Sequence, residues 1–117
     1  MPYQDDVFGC PVEVGLHMIS GKWKSRIIFE LLKETRRFGE LHRLIPQVSR
    51  NVLTVQLREL EKSGIVIRTV FPSVPPKVEY ALSDFGKSLE PILEQMIVMG
   101  EKYIALQKKE TEDNTER

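Results

Sequence analysis

Apolar residues recur at helical spacing through most of the chain and switch to alternation only once. Cys10-Pro11 reads as a helix start, since proline suits the first helical position where its missing N–H has no partner to lose. Val12, Leu16 and Ile19 then follow at i, i+4 and i+7, and Ser20-Gly21 ends the segment. A second helix is predicted from about Lys22 to Glu34, with Trp23, Ile27 and Leu31 as its inner stripe and Ile28 and Leu32 beside it. Trp23 is expected in the core. A short third helix turns Phe38, Leu41 and Leu44 or Ile45 inward and stops at Pro46.

Ser49 is a good N-cap for a fourth helix over Arg50 to Lys62, because its hydroxyl can accept a free N–H of the first turn. Leu53, Leu57 and Leu60 form its inner face, and Gly64 sits where a left-handed C-terminal cap is wanted. The period then changes. Residues 65–71 are rich in β-branched types and 77–82 alternate, so the two read as a hairpin whose tip, Ser73, Val74, Pro75, Pro76 and Lys77, is stiffened by proline.

Ser83 is expected to cap a last helix over about 84–108, kinked at Pro91 or split there from its first turn. Phe85, Leu89, Ile92, Met96, Met99, Tyr103 and Leu106 are spaced alternately by four and three, a coiled-coil seam expected to pair two copies, with Leu93, Ile97 and Ile104 as a second stripe that can pack on its own domain. The expected organisation is an arm over 1–9, one domain over 10–108, and a polar, frayed tail over 109–117.

Composition narrows the class. The 117 residues suffice for one domain with a real core, and 41% hydrophobic content argues against disorder. One cysteine excludes a disulfide framework within the chain and suits a reducing compartment. No stretch approaches the about 18 apolar residues of a membrane span, and the first residues lack the pattern of a secretory signal. A cytoplasmic protein without a membrane partner is expected.

Charge changes the picture more. The chain is neutral overall, but residues 22–58 carry nine basic and three acidic side chains, a net +6 between acidic ends. Such a block is an electrostatic footprint for a polyanion, although a solvated helical surface would also account for it.

The order of elements, three helices before a two-stranded hairpin, is that of a mainly α, α+β winged helix-turn-helix. In that motif the second helix of the pair enters the major groove of DNA. Here it is the helix opened by Ser49. With its leucines inward, Arg50, Asn51, Thr54, Val55 and Arg58 face out. Arg suits guanine edges, Asn adenine edges, and Thr or Val methyls the thymine methyl. Lys22, Lys24, Arg36, Arg37, Arg43, Ser49 and Lys77 are candidates for backbone phosphates, which position a protein without reading sequence. Arg68 is open between a phosphate and an acid at the base of the wing.

A set of short motifs stands in order along the chain: Cys10-Pro11-Val12-Glu13, Gly21-Lys22-Trp23-Lys24, Arg37-Phe38-Gly39-Glu40-Leu41 and Leu57-Arg58-Glu59-Leu60-Glu61. It continues through Gly64-Ile65-Val66, Arg68-Thr69-Val70, Val74-Pro75-Pro76-Lys77-Val78-Glu79-Tyr80 and Leu82-Ser83-Asp84-Phe85-Gly86. On this ordered set the chain resembles the HxlR-type transcriptional regulators. The resemblance covers about residues 10–105. It implies a bacterial or archaeal homodimer on double-stranded DNA, paired largely through the terminal helices. A two-fold dimer sets two reading helices against one face of the duplex, so an inverted-repeat operator is expected. Some regulators similar to this one sense oxidants or electrophiles through a cysteine at the place of Cys10. A plain capping role for Cys10 stays open, and Asp5 and Asp6, if close, would oppose its ionisation.

Two other classes stay open. One is a winged helix used only for protein contact. The other is an enzyme, for which Cys10 and His17, two helical turns apart, are the only pair on offer. They lack an orienting group. His42, among basic residues, is expected to meet phosphate or solvent. No metal-ligand spacing, cofactor motif or residue pointing to an effector appears.

Overall fold

A computed structural model describes residues 9–115. In chain order these form α1 (Pro11–Ile19), α2 (Lys24–Lys33), α3 (Phe38–Leu44), α4 (Arg50–Lys62), β1 (Val66–Phe71), β2 (Lys77–Leu82), α5 (Asp84–Lys87) and α6 (Glu90–Thr115). The chain divides into two units between Lys87 and Ser88.

The core of the first unit is built from one face of each element. Ile27, Ile28 and Leu31 of α2, Leu41 of α3, and Leu53, Leu57 and Leu60 of α4 are buried. Ile45 and Val48 of the α3–α4 turn, and Ile65, Val66 and Leu82 of the hairpin base, are buried with them. Each fully buried Leu or Ile contributes about 1.5–3 kcal/mol relative to exposure. One carboxylate, Glu30, is also inside, at 2% exposure. It is held by Arg26 Nε at 3.1 Å and by Lys33 Nζ at 3.3 Å, as a buried charge must be. The Arg26 guanidinium also donates to the Leu44 carbonyl at 2.9 Å, which ties α2 to the last residue of α3.

The hairpin is antiparallel, with Val66 opposite Leu82 and Phe71 opposite Lys77. It gains an edge that the sequence does not announce. Arg36 and Tyr80 exchange two backbone hydrogen bonds, of 2.9 and 2.7 Å, so the α2–α3 connection joins β2 as a bridge.

The α4–β1 junction is a Schellman turn. Gly64, at φ +83°, donates to Glu61 O and Ile65 donates to Leu60 O, while the Leu60 and Ile65 side chains are both buried. Ser83 fastens the base of the hairpin, where β2 ends, to this turn. Its N–H donates to Ile65 O, its hydroxyl donates to the Gly64 carbonyl with Ile65 O as a longer second acceptor, and the hydroxyl accepts the Gly86 N–H at 3.0 Å.

Several expectations need correction. Val12 and Leu16 of α1 are exposed, and of the predicted stripe only Ile19 is buried. Trp23 is half-buried outside the start of α2, with the Lys22 ammonium 5.0 Å above its ring, so it is not core. Ser83 caps the short α5 rather than the long helix. The chain breaks at Ser88-Leu89, and Pro91 sits in the first turn of α6, where its missing N–H costs nothing. The predicted seam is therefore divided. Phe85 lies on α5, Leu89 in the break, and Ile92, Met96, Met99, Tyr103 and Leu106 on α6. The polar tail is helical as far as Thr115 rather than frayed. The arm up to residue 8, with Asp5 and Asp6, lies outside the described residues.

A Cβ on Gly86 would collide with the Ile65 carbonyl, which is backbone and cannot swing aside. Gly86→Ala should lower stability by about 1–3 kcal/mol, the usual cost of overpacking, read as a lower urea midpoint at unchanged slope.

Candidate nucleic-acid interface

The α3–turn–α4 unit is fixed from both ends of the turn. At the start of α3 the Glu40 carboxylate accepts the Arg37 N–H at 2.9 Å. In the turn, His42 Nε2 donates to the Val48 carbonyl at 3.0 Å, so His42 is committed to the protein rather than left for phosphate. At the start of α4 the Ser49 hydroxyl accepts the Val52 N–H at 3.1 Å. This satisfies one of the four N–H groups that a helix start leaves open.

Burial of Leu53, Leu57 and Leu60 fixes the rotation of α4 about its axis. Arg50, Asn51, Val55 and Arg58 are exposed as a result, and Thr54 is half-buried. The Thr54 hydroxyl donates to the Arg50 carbonyl at 2.9 Å. The Arg50 guanidinium lies 5.8 Å from the Phe38 ring of α3, a cation–π contact that steadies one long side chain without using its hydrogen-bond donors.

The seven backbone-contact candidates separate into two groups. Lys24 is ion-paired with Glu59 at 2.9 Å, and its side chain is 15% exposed. Arg36 pairs with Glu34 at 2.8 Å, donates to the Glu30 carbonyl at 3.4 Å, and is 13% exposed. Both hold the domain together. Arg37, the N-cap residue of α3, and Arg43 on that helix are exposed, Ser49 is the cap of α4, and Lys22 stands over Trp23. Lys77 lies 3.4 Å from Glu79 and 5.1 Å from the Phe71 ring, at the root of the hairpin tip. At that tip Val74 is fully exposed, and the Ser73 hydroxyl donates to the Pro75 carbonyl at 2.8 Å.

The sequence alone leaves Arg68 open between a phosphate and an acid at the base of the wing. It is exposed and opposite Tyr80 in the hairpin, and among the described residues no carboxylate pairs with it. Alternation along β1 hinted at its face, but only the register shows its neighbour. Cys10, at the N-cap of α1, is exposed.

A capped helix presented by a preceding short helix, backed by a three-helix core and flanked by a two-stranded hairpin, is a winged helix-turn-helix. The chain belongs to the HxlR family: the model of the HxlR-like helix-turn-helix matches residues 18–108. It is 48% identical over 99 residues to YdeP, an HTH-type transcriptional regulator of Bacillus subtilis, covering 85% of this chain and 77% of that one. Among solved structures it is similar to the redox regulator HypR in its reduced form, at TM-score 0.81 and 45% identity over 86% of this chain and 99% of that one. The reduced transcriptional regulator YodB of B. subtilis matches at TM-score 0.73 and 33% identity, covering 80% and 93%. The family is one of transcriptional regulators.

Ser49→Ala should cost about 0.5–2 kcal/mol of stability, because the Val52 N–H loses its acceptor. Amide exchange at Asn51 and Val52 should accelerate more than exchange at Leu60.

Proposed function

We propose that this chain is a sequence-specific DNA-binding regulator that acts as a homodimer on an inverted-repeat operator. The observation that carries the reading is the outward face of α4: Arg50 and Asn51 in its first turn and Val55 and Arg58 further along are exposed, while the opposite face of the helix is buried. These side chains read base edges. Arg37, Arg43, Lys22 and Lys77 contact phosphates, with the Ser49 end of α4, and the tip from Ser73 to Lys77 lies along the groove. Exposed Ile92, Met99, Tyr103 and Leu106 on α6 supply the apolar surface for a second copy. Two-fold pairing then repeats the reading helix on one face of the duplex.

Selection of bound sequences from random DNA tests the reading and supplies the operator. On that operator, Asn51→Ala and Arg58→Ala should each lose about 1–3 kcal/mol of preference over random DNA. Affinity should fall steeply with salt as counterions are released. Salt-insensitive binding, or variants no weaker than a distant surface change, overturns it and favours a protein-contact module.

Cys10 makes the regulator responsive to thiol oxidation. Two features support this: its exposure at a helix N-terminus, and the similarity to HypR, solved in reduced and oxidised forms. With one cysteine per chain, the oxidised product is a bridge between two chains or a capped thiol. Diamide should release operator from the native protein and leave Cys10→Ser bound. Equal release from both removes the cysteine from the mechanism.

A further inference from the structure

A cleft of about 390 Å3 opens between α4 and the base of the hairpin, lined by Thr54, Leu57, Arg58, Glu61, Arg68 and Tyr80. Its volume is at the small end of the range for metabolite sites, about 300–1,000 Å3. Two guanidinium groups reach it from different elements, Arg58 from α4 and Arg68 from β1. Among the described residues neither is ion-paired, although the Glu61 carboxylate lines the same cleft. By contrast, Lys24, Arg26, Lys33, Arg36 and Lys77 all have carboxylate partners. Leu57 is buried and forms an apolar floor, and Tyr80 is half-buried. The wall is rigid, because the Tyr80 backbone is bonded to Arg36 on one side and paired with Arg68 on the other.

We propose that this cleft binds a small carboxylate that also carries an amino or hydroxyl group, such as an amino acid or a short hydroxy acid. Arg58 and Arg68 clamp the carboxylate through charge-assisted hydrogen bonds, and Glu61 accepts the donor of the amino or hydroxyl group. Two cations and one anion match a ligand of that polarity better than a bare anion, which Glu61 would repel. Binding would regulate the protein through Arg58. A guanidinium held in the cleft is withdrawn from a base edge, so ligand and operator compete. This consequence rests on the DNA reading above, whereas the binding itself does not.

The test is an NMR titration of the DNA-free protein, following the Arg58 and Arg68 side-chain N–H signals. The probes are the standard L-amino acids, L-lactate and L-malate, with inorganic phosphate at matched ionic strength as the control. The expected result is a saturable shift at both arginines with at least one amino or hydroxy acid, tighter than with phosphate. Arg68→Gln should weaken that binding about tenfold, Arg68→Lys by less, and Glu61→Gln should weaken it while leaving phosphate unchanged. No saturable shift with any probe, phosphate binding as tightly as the best of them, or an unaffected Arg68→Gln overturns the site. A saturating probe that leaves operator affinity unchanged overturns the competition. Because the titration contains no DNA, absence of an operator would leave its result standing.

Discussion

One-sided burial of α4 is the constraint on which the rest depends. Leu53, Leu57 and Leu60 are each no more than 1% exposed, and together they remove enough apolar surface to make any other rotation of the helix costly by several kcal/mol. Nothing on the opposite face has to be chosen for packing. Arg50, Asn51, Val55 and Arg58 are free to be chosen for chemistry, and the helix presents them at fixed spacing. The Ser49 cap and the Schellman turn at Gly64 define both ends, so the helix neither frays into the α3–α4 turn nor runs on into the hairpin.

The wing is held just as firmly, by polar contacts rather than by a large core. Ser83 returns to the Gly64–Ile65 turn, and Arg36 pairs with Tyr80 at the other edge of the hairpin. A two-stranded hairpin alone is marginal in water, so this anchoring is what makes the tip a structural feature. The buried Glu30 does related work among the helices. Its ion pair with Arg26 orients a guanidinium that also caps α3 through Leu44. A carboxylate inside the core is expensive unless so paired; the pairing lies within α2, and the Arg26 bond to the Leu44 carbonyl carries it across to α3.

Cations in this neutral chain divide by whether an acid lies within reach. Those on the inner and lateral surfaces, Lys24 and Arg36 above all, are spent on internal pairs. Arg37, Arg43, Arg50 and Arg58 face outward from the α3–α4 pair, and Arg68 stands beside them on the hairpin. The positive footprint left for a polyanion is thus narrower than the +6 of residues 22–58 suggests. It is concentrated on the α3–α4 pair and the hairpin. The cleft between Arg58 and Arg68 lies inside that footprint, which is why occupancy there and DNA reading would share a side chain.

The sequence by itself determined the elements governed by local rules. Ser49 and Gly64 bracket a helix running from Arg50 to Lys62, because capping chemistry and left-handed backbone act within a few residues. The hairpin over residues 66–82 followed from β-branched alternation broken by prolines. Tertiary structure alone decided which partner each side chain found. Val12 and Leu16 have helical spacing yet stay exposed, since spacing reports a face and not what covers it. Lys24 and Arg36 read as free cations until folding brought Glu59 within reach of one and bent the other back onto Glu34 and β2. The Arg36–Tyr80 bridge joins positions 44 residues apart, and the Arg58–Arg68 cleft needs the hairpin folded against α4. Such contacts depend on distances through space, which only the assembled chain sets.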